Sequence, residues 1–163
     1  MNIVGIMAAT ATGVIGKDNG LPWNYPEELD HFRMLTKGHR MIMGQRTFET
    51  TPTDLFLERT PIVFSQEDSF KNPYGCTVRD LEECLTLIQT FQDSGKIFMI
   101  GGAEIAHLFL EAALISSFIL TKIHHPYPGD TYLNLKFFEG WSEEILTSNL
   151  LYTIIHLTPK DTP

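Results

Sequence analysis

The chain has 163 residues, of which 43% are hydrophobic, and its 20 acidic and 12 basic side chains give a formal charge of −8 at pH 7. This length predicts a single domain, residues 1–163, without room for a second enzyme or a repeat array. The acidic balance argues against nucleic acid or an anionic membrane as a partner, because both require a basic patch. Neither a signal segment nor a long apolar run is present, so we expect a cytoplasmic monomer.

Strands and helices alternate along the sequence. Apolar runs rich in β-branched or aromatic residues predict strands, and longer patterns with helical spacing predict helices. In chain order these are strand 3–9, helix 26–35, strands 41–43 and 61–64, helix 80–91, strand 96–100, helix 103–110, and strands 118–123, 144–147 and 151–157. The alternation predicts an α/β fold with a mostly parallel central β-sheet and helices on both faces. Only three residues, 148–150, separate the last two strands, so we expect a C-terminal antiparallel hairpin at the sheet edge.

A carboxylate falls on the apolar side of the first predicted helix. With about 100° per residue, Glu28 lies between Phe32 and Leu35 on the helical wheel. Glu28 could be an ordinary first-turn carboxylate that stabilises the helix by interacting with its dipole and bends out to water. It could instead be an acid in an apolar pocket, ready for a ligand with paired N–H donors. The helix pattern alone does not decide between these two interpretations.

The loop before this helix favours the pocket. Residues 13–23 are glycine-rich and end in Gly-Leu-Pro-Trp at 20–23. Glycines that allow turns and an apolar tip predict a mobile segment beside Glu28. This segment resembles the loop that covers the substrate in the dihydrofolate reductase family.

The resemblance extends over most of the chain, in the same order and with the same spacing. The matching positions are Ile15, Gly16 and residues 21–23; Glu28, Phe32 and Thr36; residues 41–44 and Thr47; Arg59; residues 100–102; Leu120 and Thr121; and residues 129–131. Each position alone is a weak signal, since Gly101 and Gly102 could begin a helix without binding a ligand. Together the positions identify the chain as a member of this family.

The resemblance implies reduction of 7,8-dihydrofolate to 5,6,7,8-tetrahydrofolate, with hydride transfer from NADPH to C6 and protonation at N5. The product would feed one-carbon and thymidylate metabolism, and the enzyme would be an antifolate target. Glu28 would pair with N3 and the 2-amino group of the pterin, because a carboxylate suits two parallel donors. Thr121 would orient Glu28, while Leu21 and Trp23 would lie where water reaches the site.

The resemblance also implies the remaining ligand contacts. The substrate would contact Ile6, Met7, Leu29, Phe32, Thr36, Phe56, Arg59 and Ile100. Arg59 would clamp the α-carboxylate of the glutamate tail, a task that suits a bidentate guanidinium. Each apolar residue in this set could equally be part of the core only, and Arg59 could be a surface charge paired with Glu58.

The cofactor site is predicted at two helix starts, after Gly44 and after Gly102. The chain has no Gly-x-Gly-x-x-Gly loop, whereas the backbone N–H groups at a helix start can hold a pyrophosphate. The implied contacts are Ala8, Val14, Ile15, Gly16, Asn19, Gly44, Gln45, Arg46, Thr47, Ser65, Gln66, Arg79, Gly101, Gly102, Ala103, Glu104 and Ile105.

Two departures from the family pattern concern the cofactor. Gln45 stands where the family usually has a cation for the 2′-phosphate, and Gln66 replaces a frequent hydroxyl residue. We therefore expect reduced discrimination between NADPH and NADH. Ala106 stands where the family usually has a tyrosine near the nicotinamide, so we expect space or water there, slower hydride transfer, and a faster reaction after Ala106→Tyr.

Other interpretations remain open at this stage. A pyrimidine reductase of riboflavin synthesis would share the fold, although its phosphate substrate would favour a cation in place of Glu28. A folate- or nucleotide-binding pseudoenzyme would fit Ala106 and Gln45. We expect no metal, because the adjacent His124 and His125 would point to opposite faces of a strand.

Overall fold

The computed structural model describes residues 1–93 and 95–160. Its elements in chain order are β1 (Ile3–Thr10), β2 (Val14–Gly16), α1 (Pro26–Thr36), β3 (Arg40–Gly44), α2 (Gln45–Thr50), a 3₁₀ segment (Thr53–Leu57), β4 (Thr60–Phe64), β5 (Cys76–Val78), α3 (Leu81–Gln89), β6 (Ile97–Gly101), α4 (Ala103–Glu111), β7 (Ser117–Ile123), β8 (Thr131–Tyr132), a second 3₁₀ segment (Leu135–Phe138), β9 (Ser142–Ser148) and β10 (Tyr152–Thr158). Within these described residues, no helix is long and apolar enough to cross a membrane.

The central sheet has the strand order β5-β4-β3-β6-β1-β7-β10-β9. All neighbours from β5 to β7 pair in parallel, whereas β10 runs antiparallel to both β7 and β9. Asn149 forms the hairpin turn, and its Oδ1 accepts the backbone N–H groups of Leu151 and Tyr152 at 2.8 and 2.9 Å. The predicted mostly parallel sheet and the C-terminal hairpin at its edge are therefore confirmed.

Alternate strand residues pack into two different apolar clusters, one on each face of the sheet. One cluster combines residues such as Ile3 and Met99 with side chains of α3 and α4. The other combines residues such as Val4 and Phe98 with side chains of α1 and of the first 3₁₀ segment. This alternation is what a sheet buried on both faces requires, and it confirms the predicted helices on both sides.

The elements that the sequence patterns miss are the short ones. Strands β2, β5 and β8 have two or three residues each, which is too few to display a period. β2 and β8 form a separate two-stranded sheet beside the carboxyl edge of the main sheet. The start of the predicted helix 80–91 is also refined, because Asp80 lies outside α3 as its N-cap and accepts the backbone N–H of Glu83 at 2.8 Å.

Candidate functional site

Glu28 is a buried acid in the first turn of α1. Only 8% of its surface is exposed, whereas the neighbouring Glu27 and Asp30 are exposed. Thr121, which is 2% exposed on β7, donates its hydroxyl to Glu28 Oε1 at 3.0 Å. Burial raises the pKa of Glu28, and the Thr121 hydrogen bond opposes that rise. Glu28 is thus a buried, hydrogen-bonded acid rather than a solvated helix-dipole carboxylate.

Most of the predicted apolar substrate residues lie together on the α1 side of the sheet. Ile6, Phe32, Phe56 and Ile100 belong to one cluster there. Leu29 is 37% exposed and lies outside that cluster.

Met7 does not lie with this group, and its predicted contact with the substrate stays a prediction. It follows Ile6 on β1, so its side chain points to the opposite face of the sheet. There it packs in the same cluster as Ile15 and Ile105, two residues predicted for the cofactor site. A Cβ added to Gly101 would lie 2.9 Å from Met7 Cε, so the thioether chain lies directly over the Gly101 backbone.

The glycine-rich loop is tied to the rest of the fold in its first half. Asp18 and Asn19 have φ values of 51° and 64° and form a tight turn closed by hydrogen bonds between Lys17 and Gly20. The backbone N–H of Asp18 donates to Asp130 Oδ2 at 3.0 Å. The predicted mobility therefore applies to the irregular residues that follow, where Leu21 is 51% exposed.

Because Gly129 has no side chain, the segment with Asp130 can pack closely against the first half of the loop. A Cβ there would lie 2.3 Å from Val14 Cγ1 and 2.5 Å from the carbonyl oxygen of Gly16. Val14 is 2% exposed, so its side chain packs in the core, and its predicted contact with the cofactor stays a prediction.

Trp23 is a buried residue at the end of the loop. It is 5% exposed, and its ring centroid lies 5.8 Å from that of Tyr127. Its indole Nε1–H is buried and has no hydrogen-bond acceptor among the described residues. Buried donors of this kind are usually paired, so this N–H is suited to holding water or a ligand.

Arg59 is buried, which excludes the interpretation as a solvated surface charge. It is 7% exposed, while its neighbour Glu58 pairs with Lys37 at 3.5 Å. Arg59 Nε donates to Thr36 Oγ1 at 2.8 Å, and its two terminal nitrogens donate to backbone carbonyls at 3.2 and 2.5 Å. Desolvation lowers the pKa of Arg59 without making it neutral. Since a guanidinium has five N–H groups, two stay available for a carboxylate.

Thr36 supports Arg59 from behind. It has no exposed surface, and its hydroxyl donates to the carbonyl of Phe32 at 2.8 Å while accepting from Arg59. Thr36 thus holds Arg59 through its hydroxyl, and the predicted direct contact of Thr36 with the substrate stays a prediction.

The two predicted helix starts lie side by side. Met43 pairs with Gly101 in the β3–β6 register, so the residues that follow these strands are neighbours. A Cβ at Gly102 would lie 3.5 Å from Thr47 Oγ1, and one at Gly44 would lie 3.3 Å from Ile105 Cγ1. No side chain caps the start of α2 or α4, so their first N–H groups are open to a ligand. Ala103 and Glu104 form the first turn of α4.

At the start of α2, the side chain of Gln45 is part of a hydrogen-bond network that the sequence analysis did not predict. The amide of Gln45 bridges Ser65 and the carboxylates of Glu49 and Glu67. Arg79 forms an ion pair with Asp68. The Gln45–Glu49 contact has the local i, i+4 spacing of one helix, whereas the contacts of Gln45 with Ser65 and Glu67 join separate elements and have no local signal.

The structure does not show the space expected at Ala106. This residue has no exposed surface and packs in the core cluster under α4, so no water-sized space adjoins it. His124 is engaged by the carbonyl of Leu150 and by Thr153. In the described parts of the chain, no group of three or more His, Cys, Asp or Glu residues could hold a metal ion.

Together these features define an α/β domain with a mostly parallel central sheet, and Glu28 and Arg59 are the buried charged side chains among the residues that the structure describes. A sequence profile described as dihydrofolate reductase matches residues 2–149. The dihydrofolate reductase of Bacillus subtilis (strain 168) is 38% identical over 128 residues, covering 78% of this chain and 72% of the relative. That of Mycobacterium leprae (strain TN) is 36% identical over 116 residues, covering 69% and 68%. Dihydrofolate reductase type 8 of Escherichia coli is 36% identical over 136 residues, covering 80% and 79%.

The chain belongs to the dihydrofolate reductase family. It is an oxidoreductase that reduces dihydrofolate to tetrahydrofolate, a reaction of one-carbon metabolism. This membership decides against the pyrimidine reductase considered above.

Proposed function

We propose that the protein reduces 7,8-dihydrofolate with NADPH and that Glu28 is the ionisable group of the pterin pocket. The observation that carries this proposal is the pairing of buried Glu28 with Thr121 beside an apolar cluster. Thr121 occupies one lone pair of Oε1, which leaves acceptor sites on both carboxylate oxygens. These sites bind N3–H and the 2-amino group of the pterin in parallel, as charge-assisted hydrogen bonds.

The proton reaches N5 through water rather than from a side chain in direct contact. Leu21 is exposed and Trp23 is buried, so the loop offers an entrance and an inner wall. We assign the free Nε1–H of Trp23 to hold the entering water. The negative charge of Glu28 then favours the protonated form of the bound pterin electrostatically.

The residues at the carboxyl edge of β3 and β6 fit a nicotinamide dinucleotide. When bound, the reduced nicotinamide supplies the hydride for C6. The open N–H groups at the starts of α2 and α4 hold the pyrophosphate, with Thr47 beside Gly102. Ile15, Met7 and Ile105 form an apolar wall that excludes water from the reacting ring.

Arg59 binds the α-carboxylate of the glutamate tail. Its two free N–H groups are directed by three hydrogen bonds to Thr36 and to the backbone. A guanidinium fixed in this way loses little conformational freedom when the carboxylate binds.

We also propose that residues 1–163 work as one catalytic domain, as a monomer in a reducing compartment such as the cytoplasm. The continuous eight-stranded sheet supports one domain, and the two free thiols, Cys76 and Cys84, are consistent with reducing conditions.

The test is an assay of purified protein with dihydrofolate and NADPH, followed by loss of NADPH absorbance and by mass spectrometry of the product. We expect tetrahydrofolate to form in stoichiometric amounts with the cofactor consumed. Protein that is folded by circular dichroism and consumes no cofactor would contradict the proposal.

A further inference from the structure

The strand order determines where the two ends of a dinucleotide lie. Glu28 on α1 and its hydrogen-bond partner Thr121 on β7 lie next to β1. The two open helix starts follow β6 and β3. Beyond β3 the order continues with β4 and then β5. A dinucleotide with its nicotinamide at the pterin pocket and its pyrophosphate at the helix starts therefore places its adenosine at the ends of β4 and β5.

A closed hydrogen-bond network occupies that end. Ser65, which follows β4, donates its hydroxyl to Gln45 Oε1 at 2.6 Å. Gln45 Nε2 donates to Glu49 Oε1 at 2.7 Å and to Glu67 Oε2 at 3.1 Å. The backbone N–H of Glu67 donates back to Ser65 Oγ at 3.2 Å. The network thus presents two carboxylates around one neutral amide.

The network leaves little for a phosphate to bind. A serine has one O–H donor and a glutamine has two N–H donors, and all three are used between Ser65, Gln45 and the two carboxylates. The nearby cation Arg79 is paired with Asp68. Arg46, exposed at the start of α2, is the cation that we assign to the pyrophosphate.

A ribose 2′-hydroxyl and a 2′-phosphate make opposite demands on such a site. The phosphate carries negative charge and only accepts hydrogen bonds, so two carboxylates repel it. The hydroxyl donates as well as accepts, and dinucleotide sites commonly bind the 2′-hydroxyl of NAD with an acidic side chain. This arrangement therefore suits a free ribose hydroxyl and lacks the cation that would give a 2′-phosphate its usual advantage.

We propose that this subsite recognises the free ribose hydroxyls, so that the enzyme uses NADH about as well as NADPH, with Gln45 and Glu67 setting the preference. This proposal rests on the proposed function only in requiring that a dinucleotide spans the carboxyl edge. Glu67 accepts the hydrogen bond of the ribose hydroxyl, and Gln45 holds Glu67 in place.

The direct test is calorimetric binding of two adenosine fragments, 2′,5′-ADP and 5′-AMP, which needs no turnover. For the wild-type protein we expect dissociation constants within about ten-fold of each other. Gln45→Arg is expected to strengthen 2′,5′-ADP binding about ten-fold or more, while 5′-AMP binding changes less than about three-fold. Glu67→Gln is expected to strengthen 2′,5′-ADP binding as well and to weaken 5′-AMP binding.

The matched control is Glu111→Gln, an exposed carboxylate at the far end of α4, which should leave both dissociation constants unchanged. A wild-type preference for 2′,5′-ADP above about ten-fold would overturn the proposal, as would a Gln45→Arg variant without improved 2′,5′-ADP binding.

The kinetic counterpart is the ratio of kcat/KM for NADPH to that for NADH, which we expect to be below about ten in the wild type and to rise in Gln45→Arg. A wild-type ratio above about ten contradicts the proposal. If neither cofactor supports reduction of dihydrofolate, the proposed function fails instead, and the fragment binding still decides the chemistry of the subsite.

Discussion

Glu28→Gln removes the negative charge of the proposed pterin-binding acid while the side chain keeps nearly the same size. The amide can keep its oxygen on Thr121, whose hydroxyl lies 3.0 Å from Glu28 Oε1. Its NH₂ group then faces the pterin donors, so one hydrogen bond is replaced by a donor–donor contact and the other loses its charge. Hydrogen bonds to charged groups contribute about 1.5–3 kcal/mol each, so a loss of about 3 kcal/mol is expected. This corresponds to a fall of about 10²-fold in kcat/KM for dihydrofolate.

The assay is steady-state reduction of dihydrofolate with saturating cofactor, and the control is Glu27→Gln. Glu27 is the preceding residue on the same helix turn and is exposed, so its charge should not affect the pocket. We expect the control to stay within about three-fold of the wild type. If Glu28→Gln also stays within about three-fold, the assignment of Glu28 is refuted.

The same substitution gives a pH test of burial. Because burial raises the pKa of Glu28 in the folded state, this residue favours folding most below its unfolded pKa of about 4.3. That contribution is lost as the pH rises through the folded pKa. The free energy of unfolding of Glu28→Gln relative to the wild type should therefore increase from about pH 4 upward and then level off. A difference that is independent of pH in urea titrations would contradict the buried-acid reasoning.

Three further substitutions test separate parts of the structure. Arg59→Lys should raise KM for dihydrofolate about ten-fold with little change in kcat, because lysine cannot donate two parallel hydrogen bonds to one carboxylate as a guanidinium does. KM for a pteroate substrate without the glutamate tail should stay the same. An equal rise in KM for both substrates would refute the binding of the glutamate tail by Arg59. Gly129→Ala should lower the free energy of unfolding by about 1–3 kcal/mol and increase hydrogen exchange in residues 14–20, since its Cβ would lie 2.3 Å from Val14 Cγ1. Gly20→Ala, whose Cβ has no neighbour closer than 3.9 Å, is the control, and equal effects of the two substitutions would argue against the steric explanation. Ala106→Tyr should cost about 1–3 kcal/mol of stability rather than accelerate hydride transfer, because the site is completely filled; a variant as stable as the wild type in urea would show that room exists.

The burial of Glu28 could be predicted from the sequence because two local signals agree, the helical periodicity and the glycine-rich loop before the helix. Helical periodicity places Glu28 on the same stripe as Phe32 and Leu35, and the structure buries it there. The character of its surroundings could not be read in this way. Its partner Thr121 is 93 residues away in the chain, and the pairing depends on how α1 packs against β7.

Alternation along β1 explains where Met7 lies, whereas a contact with a distant residue explains where Thr36 lies. Ile6 and Met7 are equally apolar neighbours, and only the orientation of β1 in the sheet sends Met7 to the face with Ile105. Thr36 matches a family position, but its hydrogen-bond partner, the buried guanidinium of Arg59, is 23 residues away in the chain and depends on the tertiary fold.

The sequence by itself determined the order of the main strands and helices, the final hairpin, the family, and the residue types of the site, because periodicity, turn chemistry and motif spacing are properties of neighbouring residues. Only the tertiary structure decided which of those residues face a common ligand. The acidic network at Gln45 is the clearest case: the sequence shows a missing cation with Glu49 one helical turn away, whereas only the meeting of α2 with the loop after β4 brings the second carboxylate, Glu67, to the same amide. Such contacts depend on the relative positions of separate elements, which no local pattern encodes.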